Sequence, residues 1–303
     1  MKYFHSFSFS RVFLYILLFP VLVLTSCIKE NNDNCPTGVF LRFDYTYNIQ
    51  NEDLFDEQVN ELILNIYDKD SGVLIQTEKI SSTSLDDKNK LFVPLSEGNY
   101  HIIVWGGNKP LEDSYSLNAV NNIDNFYLDI KDDNKSDLGS LFFGSITYEQ
   151  KDKVVKHESV SLIKNSNRIH VIIKGIGILN TPLVAIEGNN YSYNSFNEII
   201  GRKTFSYIPE YSQLTDGSWQ ADFTVLRLLI EHDLDLEIEC GDKFRENFSL
   251  IDEVIMQHPA IKTNDDLDRQ DEYTLVFKVN EASNIIELIS INDWIVTDDG
   301  GGI

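Results

Sequence analysis

Leu234-Asp235-Leu236-Glu237-Ile238-Glu239-Cys240 sets four apolar residues on one side of an extended chain and three carboxylates on the other. Successive side chains leave a strand on opposite faces, so this alternation marks a strand with one dry face and one wet one. The pattern recurs on both sides. Residues 273–279 (YTLVFKV) and 285–296 follow it downstream, and 223–230 (FTVLRLLI) and 168–174 (RIHVIIK) precede it. Nearer the start, Val39, Leu41, Phe43, Tyr45 and Tyr47 alternate with Phe40, Arg42, Asp44 and Thr46. Segments 61–67 and 73–79 flank Asp68-Lys69-Asp70-Ser71-Gly72, a short connection ending in glycine that predicts a hairpin. Segments 91–94 and 99–105 flank Leu95-Ser96-Glu97-Gly98, a further turn, and 138–148 resumes strand character. Short strands punctuated in this way predict an all-β chain of β-sandwiches. The polar stretch 152–167 supplies a boundary, giving an N-terminal sandwich over 37–160 and a C-terminal one over 161–297, with 298–303 as a tail.

Between the strands the reading is plainer. Residues 110–135 mix polar and apolar positions. Asp132, Asp133, Asn134 and Asp137 lack the glycine and distal glutamate of a calcium loop, so a solvated acidic loop is the expectation. The acidic run 264–272 (Asp265, Asp266, Asp268, Asp271, Glu272) is read the same way. Glu253 to His258 predicts a short helix ended by Pro259. Seven aromatics lie between Tyr191 and Trp219: Tyr191, Tyr193, Phe196, Phe205, Tyr207, Tyr211 and Trp219. Exposed, they would stack on sugar rings; alternating into a sandwich core, they are packing, which is the expectation.

The N-terminus carries a different message. Lys2 and Arg11 precede the apolar run 12–24, and no acid interrupts it. A basic start, an apolar run and small residues at a cut site mark a secretory signal. The run falls short of the roughly 20 apolar residues a spanning helix needs, and Pro20 interrupts it. Leu24-Thr25-Ser26-Cys27 then resembles a bacterial lipobox, in which the cysteine thiol takes a diacylglycerol and the chain is cut before it. The alternative is a plain signal peptide with a coincidental cysteine. On the lipobox reading 1–26 is a cleaved lipoprotein signal peptide, Cys27 is the lipidation site and 27–36 is a flexible stem. Lys29-Glu30 and Asp33 resemble the short signal that sends lipoproteins to the outer face of some Gram-negative cells.

Composition narrows the partners. The chain has 25 basic and 48 acidic side chains, and without Lys2 and Arg11 the remainder carries a net charge of −25. Such a surface repels nucleic acid and anionic headgroups, so membrane attachment would rest on lipid. Hydrophobic content of 42% supplies a core and excludes global disorder. Beyond Cys27, a Cys35–Cys240 bridge is open in an oxidising compartment, against a free thiol at 35 and a buried apolar Cys240. His101, His157, His170, His232 and His258 form no metal spacing, and neither a nucleophile elbow nor a phosphate loop occurs. Gly175-Ile176-Gly177-Ile178-Leu179-Asn180 lacks the third glycine of a dinucleotide site. No catalytic, cofactor or metal residues are assigned; the function is mechanical or recognitional.

Several of these stretches together resemble the fimbrillin-associated anchor family. They are Cys27 through Cys35, 39–47, Asp53-Leu54-Phe55, and 62–72. To them add Val93-Pro94-Leu95-Ser96-Glu97-Gly98-Asn99-Tyr100 with Val104-Trp105-Gly106-Gly107, and Ile291-Asn292-Asp293-Trp294. The resemblance implies two tandem transthyretin-like β-sandwiches and an outer-membrane lipoprotein, surface-exposed and lipid-anchored through Cys27. It implies a fimbrillin stalk subunit as partner, joined by strand exchange, with a role in assembly and length control. The rival reading is a surface lipoprotein, an adhesin or tip-like subunit, that binds glycan or host ligand through exposed aromatics in 191–219.

Overall fold

The computed structural model describes residues 36–131, 138–176, 181–201 and 204–296. The predicted signal peptide, Cys27, Cys35, the 132–137 acids, Gly177 to Asn180, Arg202, Lys203 and the tail lie outside them. In chain order the first elements are β1 (Gly38–Asp44), α1 (Phe55–Gln58), β2 (Glu61–Asp68), β3 (Leu74–Ser81), β4 (Lys90–Pro94) and β5 (Gly98–Gly107). Next come α2 (Leu111–Ser114), β6 (Tyr115–Asn118), β7 (Tyr127–Ile130), β8 (Leu141–Gln150), β9 (Lys156–Ser161) and β10 (Ile163–Lys164). The second half holds β11 (Ser166–Lys174), β12 (Leu183–Gly188), β13 (Ser192–Asn194), β14 (Phe205–Tyr207), β15 (Glu210–Gln213) and β16 (Trp219–Leu226). It ends with β17 (Leu234–Cys240), β18 (Phe244–Ser249), α3 (Asn264–Arg269), β19 (Glu272–Asn280), β20 (Ile285–Ile291) and β21 (Trp294–Ile295).

The fold is all-β, with its sheets stacked in sandwich-like layers. In the first half a three-stranded sheet, β4-β1-β9, covers one face of a five-stranded sheet, β10-β8-β5-β2-β3. Val39, Leu41 and Phe43 of β1 meet Leu62, Leu64 and Ile66 of β2 and Ile102 and Val104 of β5 between them. The first strand of the domain therefore sits centrally, antiparallel to β4 and parallel to β9. The other face of β5 carries Ile103 and Trp105, and it is covered as well. A small sheet, β13-β7-β6, lies in that same core region, and its β13 arrives from residues 192–194. Trp105, fully buried, meets the rings of Phe126, Phe143 and Tyr193 at 6.1, 4.9 and 5.9 Å. An aromatic of this size buried from water is worth roughly 1.5–3 kcal/mol, so the contact ties the two halves firmly.

In the second half a six-stranded sheet, β15-β16-β11-β19-β20-β21, faces a four-stranded one, β14-β12-β17-β18. Leu234, Leu236, Ile238 and Cys240 all point into this core, as the alternation predicts. The predicted hairpin at 61–79 forms between β2 and β3. The Leu95–Gly98 turn, however, carries the chain from one sheet to another, since β4 and β5 do not pair. Residues 250–257 form a π-helical turn followed by a 3-10 turn, near the short helix predicted there.

The acidic run 264–272 corrects the sequence reading. It is not a solvated loop but holds α3, whose N-cap Thr263 accepts from the Asp266 N–H while Asp266 accepts from the Thr263 N–H. This reciprocal cap satisfies donors that a helix start leaves unpaired.

Candidate functional site

Three carboxylates around α3 reach across to distant parts of the chain. Asp271 Oδ1 accepts from Tyr45 Oη at 2.7 Å, and Asp271 Oδ2 lies 3.2 Å from Lys164 Nζ. Lys164 also donates to Gln58 Oε1 at 3.0 Å. Asp265 accepts from the Tyr47 hydroxyl, and Arg269 stacks over the Tyr47 ring at 4.4 Å while donating to Asn51 Oδ1. Asp268 takes a two-pronged contact from Arg227. Burial, then the charge of Asp271, then the hydrogen bond to it hold the Tyr45 hydroxyl protonated far above its ordinary range. It is a permanent donor. The clasp joins the segment after β1 to the segment before β19.

Edge strands decide what a β protein can dock to. On the β12 edge, β14 pairs Tyr207 with Ile186, so the next rung would set Pro209 opposite Val184. Proline has no N–H to give, and the ladder stops there. The Tyr211 hydroxyl fills the rung instead, accepting from Val184 N–H at 2.8 Å and donating to Val184 C=O at 3.3 Å. Pro182, also without an N–H, stands one rung further on. This edge is closed by side-chain chemistry.

Of the seven aromatics between 191 and 219, Tyr191, Tyr193, Phe205 and Tyr207 are buried and Tyr211 serves the rung just described. Phe196 is 55% exposed and Trp219 half-buried, so no continuous ring platform forms. An open cleft of 590 Å³ lies instead on the outer side of β1, among Phe40, Arg42, Asp53, Lys90 and His157. There Phe40 stacks on His157 at 5.0 Å, so the rings face each other rather than the solvent. His170 is held between Asp222 and Glu272 on the outer face of β11. Among the described residues no three His, Cys, Asp or Glu side chains are placed to share a metal ion. Cys240 is a buried free thiol, pushed up to about 11 by burial. Cys27 and its proposed partner roles lie outside the described residues. Lys164, Asp271, Pro209 and Tyr211 were not singled out from sequence for these contacts; Thr263-x-x-Asp266 was a readable helix-start signal for the clasp.

Comparison with known proteins defines the class. The model of the fimbrillin-A associated anchor proteins Mfa1 and Mfa2 matches residues 32–300, and the chain belongs to that family. The minor fimbrium anchoring subunit Mfa2 of Porphyromonas gingivalis is 23% identical over 246 residues, 74% of each chain. The solved fimbrial anchor protein Mfa2 from that organism superposes with a TM-score of 0.67 at 19% identity, covering 86% of this chain and 99% of that one. A candidate polysaccharide-binding protein from Bacteroides thetaiotaomicron VPI-5482 gives 0.75 at 20% identity, covering 88% of this chain and 100% of that one. At these identities the structural likeness speaks for the fold. The chain is a fimbria-associated surface protein, and its family is one of structural proteins, not enzymes.

Proposed function

We propose that this chain anchors a fimbrium to the outer membrane through lipid on Cys27 and takes part in fimbrial assembly and length control. The family match over 32–300 carries the reading. The lipobox Leu24-Thr25-Ser26-Cys27 supplies the attachment point, and no described helix is long and apolar enough to cross a membrane. Several acyl chains make a lasting anchor, at about 0.8 kcal/mol per buried CH₂. The partner on this reading is a fimbrillin stalk subunit, engaged by strand exchange with one of the sandwiches at 37–160 and 161–297. Main-chain hydrogen bonds would give affinity and alternating side chains specificity. The rival, glycan binding by the 191–219 aromatics, is weakened because most of those rings are buried.

The test uses cells producing Cys27→Ala, with polymerised fimbrillin measured on washed cells and in the medium. Fimbriae released into the medium are the expected result. Fimbriae retained on the cells as in wild type would overturn the anchor reading.

A further inference from the structure

Among the described strands that border a sheet, β3 is the longest, running Leu74–Ser81 along the rim of the five-stranded sheet. The direction of its main-chain groups can be fixed. Asp68 N–H donates to Val73 C=O, and Ser82 N–H donates to Asn60 C=O. Between them a bulge near Ile75 shifts the register, so Gln76, Glu78 and Ile80 bond to β2 while Thr77, Lys79 and Ser81 point outward. Leu74 N–H is taken by Asn121 C=O, and Ser81 C=O by Ser84 Oγ. Among the described residues none bonds the N–H and C=O of Thr77 and Lys79. A run of free rungs remains.

Edge strands are usually guarded by a charge that repels a second edge. Here Lys79 is drawn back over the sheet, 2.9 Å from Glu61 and in contact with Glu112. With Lys79 neutralised by these two carboxylates, Glu78 is left as the charge on the strand itself, and Ile75 stands 52% exposed at its head. By contrast the rung beside Val184 of β12 is already filled by the Tyr211 hydroxyl.

We propose that β3 is the edge that takes an extended segment of the fimbrial stalk subunit, as a sixth strand of this sheet. The occupant is a strand with an apolar side chain beside Ile75 and Lys or Arg beside Glu78, since those pairs match cross-strand neighbours in size and charge. The inference rests on the anchor reading and names where its partner binds.

The test compares Lys79→Pro with Lys79→Ala in the full-length lipoprotein on cells. Both lose the Lys79 ion pairs, but only proline removes the outward N–H, and at an edge it leaves the bonds to β2 intact. Fimbriae retained on washed cells should fall about tenfold for Lys79→Pro relative to Lys79→Ala, at equal surface levels of the lipoprotein. Retention equal for the two variants overturns the proposal. If Lys79→Pro fails to fold, hydrogen exchange on the wild-type chain decides, with and without stalk subunit dissociated from fimbriae of the same cells. Slowed exchange in 75–81 supports the edge; unchanged exchange overturns it. Shedding by Cys27→Ala alongside normal retention by Lys79→Pro would remove the edge and leave the anchor standing.

Discussion

Tyr45 Oη and Asp271 Oδ1 lie 2.7 Å apart although 226 positions separate them in the chain. Asp271 answers Lys164 with its other oxygen, and Lys164 has only 8% of its side chain exposed. A hydrogen bond to a charged group contributes about 2 kcal/mol, so Tyr45→Phe should lower stability by that order. Removing one member of a buried pair strands the other, and Lys164→Met should cost about 3 kcal/mol. Because both residues act on Asp271, the double variant should cost less than the two single effects added together. Urea unfolding of the lipid-free chain measures all three.

Asp266 is half-buried and accepts from the N–H groups of Lys262 and Thr263 at 2.9 Å and from Thr263 Oγ1 at 2.8 Å. These bonds, the backbone bond from Lys262 first, hold its carboxyl below the ordinary 3.8. A carboxylate depressed in the folded state stabilises fully above the unfolded value and loses that contribution as pH falls through the folded one. Thermal unfolding should therefore show wild type more stable than Asp266→Asn at pH 6, with the gap closing below pH 3.8. A gap of constant size across that range would contradict the assignment.

Cys240 is 5% exposed and its thiol is pushed up to about 11. The thiolate is the reacting form, so burial makes this residue doubly inert. In a chain carrying Cys27→Ser and Cys35→Ser, an aromatic disulfide reagent at pH 8 should label nothing until denaturant opens the core. Labelling at the rate of a free thiol before unfolding would show that the β17 core opens locally.

Much of this architecture is legible in local sequence. The alternation of Leu234, Leu236, Ile238 and Cys240 announces a buried face, and the glycine at 72 announces the β2–β3 reversal. What escapes is partner choice. The Leu95–Gly98 turn fixes a local change of direction but not the sheet that the next strand joins. Charge counting reads Asp265, Asp268 and Asp271 as solvated because their partners Tyr47, Arg227, Tyr45 and Lys164 are remote in sequence. The Tyr211 rung is hidden for a similar reason: Pro209 is visible as a strand breaker, but its opposition to Val184 depends on register. The proposed lipidation at Cys27 rests on a local motif alone and draws on no feature of the fold.

The placement of β1 has a mechanical side. As the first strand in the chain, it would on the proposed anchor reading be the first to feel tension between a cell and whatever the protein holds. A pull on Thr37 directed along the strand axis meets hydrogen bonds to β4 on one flank and to β9 on the other, all strained sideways together. Bonds strained together must fail as a group, whereas bonds at a peeled edge fail one after another. A tether joined to an edge strand would unzip under a modest tug; joined to a central one, it resists until the whole strip shears.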